Sequence, residues 1–113
     1  NRLSDTVRAD EAFLKDCTEQ VYRDIACPDH GVPALDRRKL LSQPLALQRR
    51  LIRRLWQEAT GSFKDLPFHY VEIIRALAAK ETGKQFQCGK ACAYTTRTAV
   101  CMGPAVPRQK GRR

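Results

Sequence analysis

Histidine, methionine and aromatic residues are scarce in this chain: two histidines, one methionine, one tryptophan and 7% aromatics in 113 residues. Glycine-rich phosphate loops are missing altogether, since GxGxxG, GxxxxGK[ST] and SGGxDS do not occur. That removes the usual backbone cradle for a nucleotide. His30 and His69 stand in no defensible catalytic spacing with a serine or a carboxylate pair, so no catalytic residue is assigned. No apolar run approaches the ~18 residues needed to cross a bilayer, and no charged-then-apolar leader opens the chain. A soluble chain without a membrane partner is expected. The five cysteines, Cys17, Cys27, Cys88, Cys92 and Cys101, are odd in number and contain no CxxC pair. A disulfide framework would use an even set, so reduced, mostly buried thiols and a cytoplasmic location are expected. A zinc site drawn from Cys27, His30, Cys88 and Cys92 lacks finger spacing in either half, and no metal is assigned.

What the chain has in quantity is arginine and lysine. Net charge is +9, and it is segregated. Residues 1–36 hold four basic and eight acidic groups, a balance of −4; residues 37–113 hold seventeen basic and four acidic groups, a balance of +13. Solubility does not require the sign to be sorted this way, whereas a polyanion docking on the second part does. The length suits one domain with an appended arm. Because the first residue is Asn1 and a helical pattern starts almost at once, the chain reads as part of a longer protein.

The expected fold is mainly α: a long N-terminal helix packed on an αα-hairpin, with a short C-terminal β-hairpin. From Ser4 to Ala26, Val7, Leu14, Cys17, Val21 and Ile25 fall at helical spacing beside Phe13. Ser4 or Asp5 is the expected N-cap. The helix spans about six turns, roughly 33 Å, with only part of its stripe covered. CPDHGVP breaks the chain, and residues 1–30 form the expected linker helix and loop. Asp36 caps a short turn, Arg37 to Leu41. Ser42 and Pro44 open a second long helix that Gly61 ends. Asp65 caps a third, with Tyr70, Ile73, Ile74 and Leu77 as its apolar stripe and Gly83 as its close. Two short strands, about Lys90 to Tyr94 and Arg97 to Met102, turn around Thr95-Thr96, and their edges need cover. Residues 31–103 make a helical binding domain ending in this β-hairpin. PAVPRQKGRR, 104–113, is a basic tail.

The stretch LALQRRLIRRLWQEATG, Leu45 to Gly61, separates cleanly on a helical wheel. Leu45, Leu47, Leu51, Ile52, Leu55 and Ala59 take one half, while Arg49, Arg50, Arg53, Arg54 and Gln57 take the other, with Trp56 at the border. Like charges at i, i+4 cost a few tenths of a kcal/mol per pair. Phosphates reverse that sign, because guanidinium binds their oxygens bidentately. Arg37, Arg38 and Lys39 extend the field upstream. Trp56 is expected in the core. An ion-pair network with the carboxylates of the first helix competes for these arginines, but the charge balance leaves +9 unmatched.

RADEAFL (Arg8 to Leu14), LLSQPLALQRRLIRRLW (Leu40 to Trp56) and FHYVEIIRAL (Phe68 to Leu77) followed by Gly83-Lys84 resemble, in order, the segment after the catalytic domain of bacterial tRNA(Ile)-lysidine synthetase. The resemblance covers about residues 3–103. The family continues after Gly-Lys with Leu-Pro-Gly-Gly, where QCGK, Gln87 to Lys90, stands here. It implies a non-catalytic tRNA-binding fragment of an ATP-dependent ligase that joins lysine to the wobble cytidine of an isoleucine tRNA. ATP and Mg belong to the missing N-terminal catalytic domain, and the fragment itself needs no cofactor. Gln48, Arg49 and Arg50 match the family's Q-R-R, and His69 matches its histidine. The expected tRNA-binding set is therefore Arg37, Arg38, Lys39, Arg49, Arg50, Arg53 and Arg54, with Gln48 and His69 in a second line. An exposed linker helix favours a homodimer. The competing expectation is a scaffold domain whose arginine strip meets an acidic protein partner, with duplex-DNA binding as a third.

Overall fold

A computed structural model of the chain describes residues 2–62, 66–80 and 82–104, with side chains from Arg8 onward. The expected caps Ser4, Asp5 and Asp65, and residues 105–113 of the tail, lie outside the described side chains and residues. Four helices and a four-stranded antiparallel sheet form in the order α1 (Arg2–Ile25), β1 (Ala34–Asp36), α2 (Arg37–Leu41), α3 (Leu45–Thr60), α4 (Phe68–Lys80), β2 (Gln85–Cys88), β3 (Ala91–Thr95) and β4 (Ala99–Pro104). The strand order is β1-β4-β3-β2. The helical character of the expectation holds, but the β part is twice its expected strand count.

α3 supplies the centre. Its Leu51, Ile52 and Leu55 are fully buried, and Trp56 joins them in the core at 8% exposure. Tyr22 and Ile25 of α1, Leu40 of α2, Val71, Ile74 and Ala78 of α4, and one face of the sheet (Leu35, Ala91, Ala93, Val100, Met102) close around this stripe. Strand alternation sends Ala34, Ala99 and Cys101 to the opposite face, where Val32 and Tyr94 cover them. α3 ends as expected: Gly61 adopts φ 69°, and its N–H reaches the Gln57 carbonyl at 2.7 Å. A left-handed residue there favours glycine.

α1 carries most of its cover late. Residues 8–13 are all exposed, Phe13 at 66%, whereas Tyr22 and Ile25 are buried. No helix among the described residues is long and apolar enough to cross a membrane.

Several local expectations are corrected. Ser42 does not open α3 but closes α2, its hydroxyl donating to the Lys39 carbonyl, and Pro44 is the residue before α3 with no side-chain cap. The α4 stripe is Val71, Ile74 and Ala78, leaving Ile73 39% exposed. Gly83 does not close α4, which ends at Lys80; its N–H instead pairs with the Thr95 carbonyl at 2.9 Å. QCGK forms a tight turn between β2 and β3, with Cys88 opposite Ala91 and Gly89 at φ 66°. The next turn is Thr96–Thr98 rather than Thr95-Thr96, because the Thr96 hydroxyl accepts the N–H groups of Thr98 and Ala99. Arg97 is consequently in the turn, not in β4. β2 is an edge strand with Gln85 and Gln87 exposed, bracketed by exposed Lys84 and Lys90.

Candidate nucleic-acid interface

The arginines of α3 do lie on its non-core arc, but most face carboxylates. Arg50 donates to Glu11 of α1 at 2.6 Å, and Arg54 to Glu19 of α1 at 2.7 Å and to Glu58 at 2.8 Å. The Arg54 guanidinium also sits 4.6 Å over the Tyr22 ring. Arg49 turns the other way, donating to Glu72 of α4 at 2.9 Å and lying 5.0 Å from the Phe68 ring centroid. Arg75 shares the same Glu72 at 2.8 Å. Its two guanidinium partners, Arg75 first and Arg49 second, hold the Glu72 carboxyl down from 4.5 to about 2. An outward ridge of four free guanidiniums is therefore corrected to three struts and one free member. Arg53 alone of the four has no ion pair or hydrogen bond among the described residues. The struts are half-exposed, with the arginine side chains at 27–31%, so they remain wet rather than interior.

Arg37 is also corrected. Its Nε donates to the Ala78 carbonyl at 2.6 Å, and its NH1 donates to the Thr82 hydroxyl and the Thr96 carbonyl at 2.9 and 2.8 Å. Its backbone N–H reaches the Thr98 carbonyl at 2.8 Å. One guanidinium thereby pins the start of α2 to the end of α4 and to the β3–β4 turn. Asp36 caps α2 by accepting the Lys39 N–H at 2.9 Å. That fixed geometry leaves Arg38 and Lys39 exposed on α2 beside exposed Arg97. The groove between α2 and the turn is lined by Arg37, Arg38, Lys39 and Arg97, with Asp36 as its one carboxylate among the described residues.

The second-line residues divide. Gln48 is buried, and its amide donates to the carbonyls of Leu41 and Gln43 at 3.1 and 2.8 Å, which braces the α2–α3 connection instead of facing a ligand. His69 is exposed and meets Tyr70 edge-on. Sequence reasoning missed Arg97, whose exposure depends on the threonine-capped turn; the TTRT pattern is the signal that could have shown it.

All five cysteines are free thiols, with Cys88, Cys92 and Cys101 buried and Cys27 exposed. Burial pushes the Cys88 thiol up to about 11. Cys88 lies near Met102 sulfur at 3.8 Å, inside the core. Among the described residues no group of three or more His, Cys, Asp or Glu gathers in a way that could hold a metal. Residues 35–100 match the model of one protein family, described as the TilS substrate binding domain.

Proposed function

The chain belongs to the TilS substrate-binding-domain family, and on that premise we propose that it is the tRNA-holding part of a tRNA(Ile)-lysidine synthetase. In this reading the parent enzyme attaches lysine to the wobble cytidine of an isoleucine tRNA. ATP and Mg serve a catalytic domain outside this chain, which offers no phosphate loop of its own. Residues 31–103 are the binding domain, α1 is the linker toward the catalytic domain, and 104–113 add a basic tail. The carrying observation is the family match over 35–100, a stretch that holds thirteen basic and five acidic groups.

Binding of this kind is driven by phosphate neutralisation and release of condensed counterions. Double-stranded RNA is read mostly by shape and backbone, which suits a rigid surface of exposed cations. Arg38, Lys39 and Arg53 are open to such contacts, whereas a phosphate reaches Arg49, Arg50 or Arg54 only by displacing a glutamate. Filter binding with transfer RNA, duplex DNA and heparin at two salt concentrations tests the reading. Transfer RNA is expected to bind more tightly than duplex DNA of equal charge, with affinity falling steeply as salt rises. No tRNA binding, or equal binding to both nucleic acids, overturns it.

The cross-helix pairs favour one second reading. Arg50 with Glu11 and Arg54 with Glu19 show that this strip accepts carboxylates, as an acidic protein partner would supply. That reading expects binding to acidic protein and none to tRNA.

A further inference from the structure

Cations in this molecule fall into two populations, and the division decides which surface meets a ligand. On α3, Arg53 is unpaired among the described residues, whereas Arg50 and Arg54 are matched by glutamates of α1 and Arg49 by Glu72 of α4. A phosphate arriving there must compete with a carboxylate already held at 2.6–2.9 Å, which removes much of the gain from neutralisation. At the α2 end of the sheet the balance is different. Arg38, Lys39 and Arg97 are exposed and make no ion pair among the described residues. The one carboxylate there among the described residues, Asp36, is occupied by the Lys39 N–H as a helix cap.

We infer that the RNA phosphodiester backbone is held at this α2–turn surface, by Arg38, Lys39 and Arg97, and that Arg50 and Arg54 of α3 serve to fasten α1 instead. This rests on the tRNA reading given above and names the surface for it. Three features support the assignment. The cations come from two segments far apart in sequence, α2 and the β3–β4 turn, and the Arg37 side chain locks those segments together through the Thr96 carbonyl. The same guanidinium binds the Ala78 carbonyl and the Thr82 hydroxyl, so exposed Lys80 and Lys84 flank the connection it secures. A surface fixed by buried or half-buried bonds loses little freedom on binding, so more of the Coulomb attraction survives as affinity. Finally, among the described residues the groove sets the exposed cations Arg38, Lys39 and Arg97 against one carboxylate, Asp36, an imbalance that a phosphate chain neutralises.

The test compares the full chain with Arg38→Ala/Lys39→Ala/Arg97→Ala and with Arg50→Ala/Arg54→Ala. Each is measured for tRNA affinity across salt, for heparin elution and for thermal unfolding. The triple variant is expected to unfold like the parent chain, to weaken tRNA binding, and to flatten the salt slope by about one unit per lost contact. Arg38→Lys/Arg97→Lys should restore most of the slope, since charge is kept. The double variant should unfold at lower temperature with its slope nearly intact. A triple variant that keeps the parental slope overturns the surface assignment while leaving the tRNA reading standing, as does a double variant that loses it. A parent chain that elutes from heparin at high salt yet ignores tRNA overturns the tRNA reading and RNA as the occupant together.

Discussion

Arg37 and Arg38 are neighbours of identical chemistry with opposite fates. Arg37 turns into the molecule and Arg38 out of it, because the partners of Arg37, Ala78 and Thr96, lie 41 and 59 residues away. No periodicity in RRKLL carries that information. Gln48 is a different case: a wheel sets it on the apolar face between Leu55 and Ala59, but only the α2–α3 connection decides that its amide meets the carbonyls of Leu41 and Gln43. Replacing Arg37 by alanine strands the Ala78 carbonyl and frees the β3–β4 turn. A loss of about 2–3 kcal/mol is expected, read from urea unfolding, with Arg37→Lys recovering less than half because an ammonium lacks the planar fork. Glu72 allows a test by pH. Its folded carboxyl titrates near 2 against 4.5 in the unfolded chain, so the folded state binds fewer protons between those values. Stability from this group is full above about pH 4.5 and disappears as pH falls toward 2. Glu72→Gln should lower stability at neutral pH by about 0.5–1 kcal/mol, given its wet setting. It should also flatten the acid limb of the unfolding curve between those pH values; an unchanged limb would mean that Glu72 is not the group responsible.

Among the elements, the helices and the β3–β4 hairpin were legible, and the two shortest strands, β1 and β2, were not. α1 and α3 follow from apolar spacing over many turns, and Gly61 marks the end of α3 in the sequence itself. β1 has three residues and β2 four, too few for alternation to stand out against CPDHGVP or against the polar run after Gly83. β1 is recruited by β4 from the far end of the chain, a tertiary effect rather than a local one, and β2 is added to β3 through a tight hairpin turn at Gly89-Lys90. The arginine arc of α3 was also visible, but its carboxylate partners sit on α1 and α4 and needed the packing to be known. Those struts have unequal weight. Glu11 is 62% exposed, so Arg50→Ala should cost only a few tenths of a kcal/mol. Arg54 pairs twice and covers Tyr22, so Arg54→Ala should cost about 1 kcal/mol. Thermal unfolding at low and high salt checks the order, with Arg54→Ala retaining part of its effect at 1 M salt because the ring contact is screened less than the ion pairs.

At the scale of the whole molecule, the sorted charge of the sequence becomes a sorted surface. Acidic α1 is drawn onto basic α3, which consumes part of the excess, and part of the remainder, Arg38, Lys39 and Arg97, gathers where α2 meets the β3–β4 turn. The charge count foresaw the remainder but not its location. Below the helices the sheet stops at β2, whose outer backbone groups have no strand beyond them among the described residues. Lys84 and Lys90 stand at its two ends, and two copies approaching edge to edge in antiparallel register would bring like charges together. That repulsion opposes edge-to-edge pairing and is eroded by dissolved ions. Raising salt should weaken it over a Debye length that shrinks from about 10 Å at 0.1 M to about 3 Å at 1 M. Light scattering of Lys84→Gln/Lys90→Gln should then show, in dilute buffer, the self-association that the parent chain reaches only in brine.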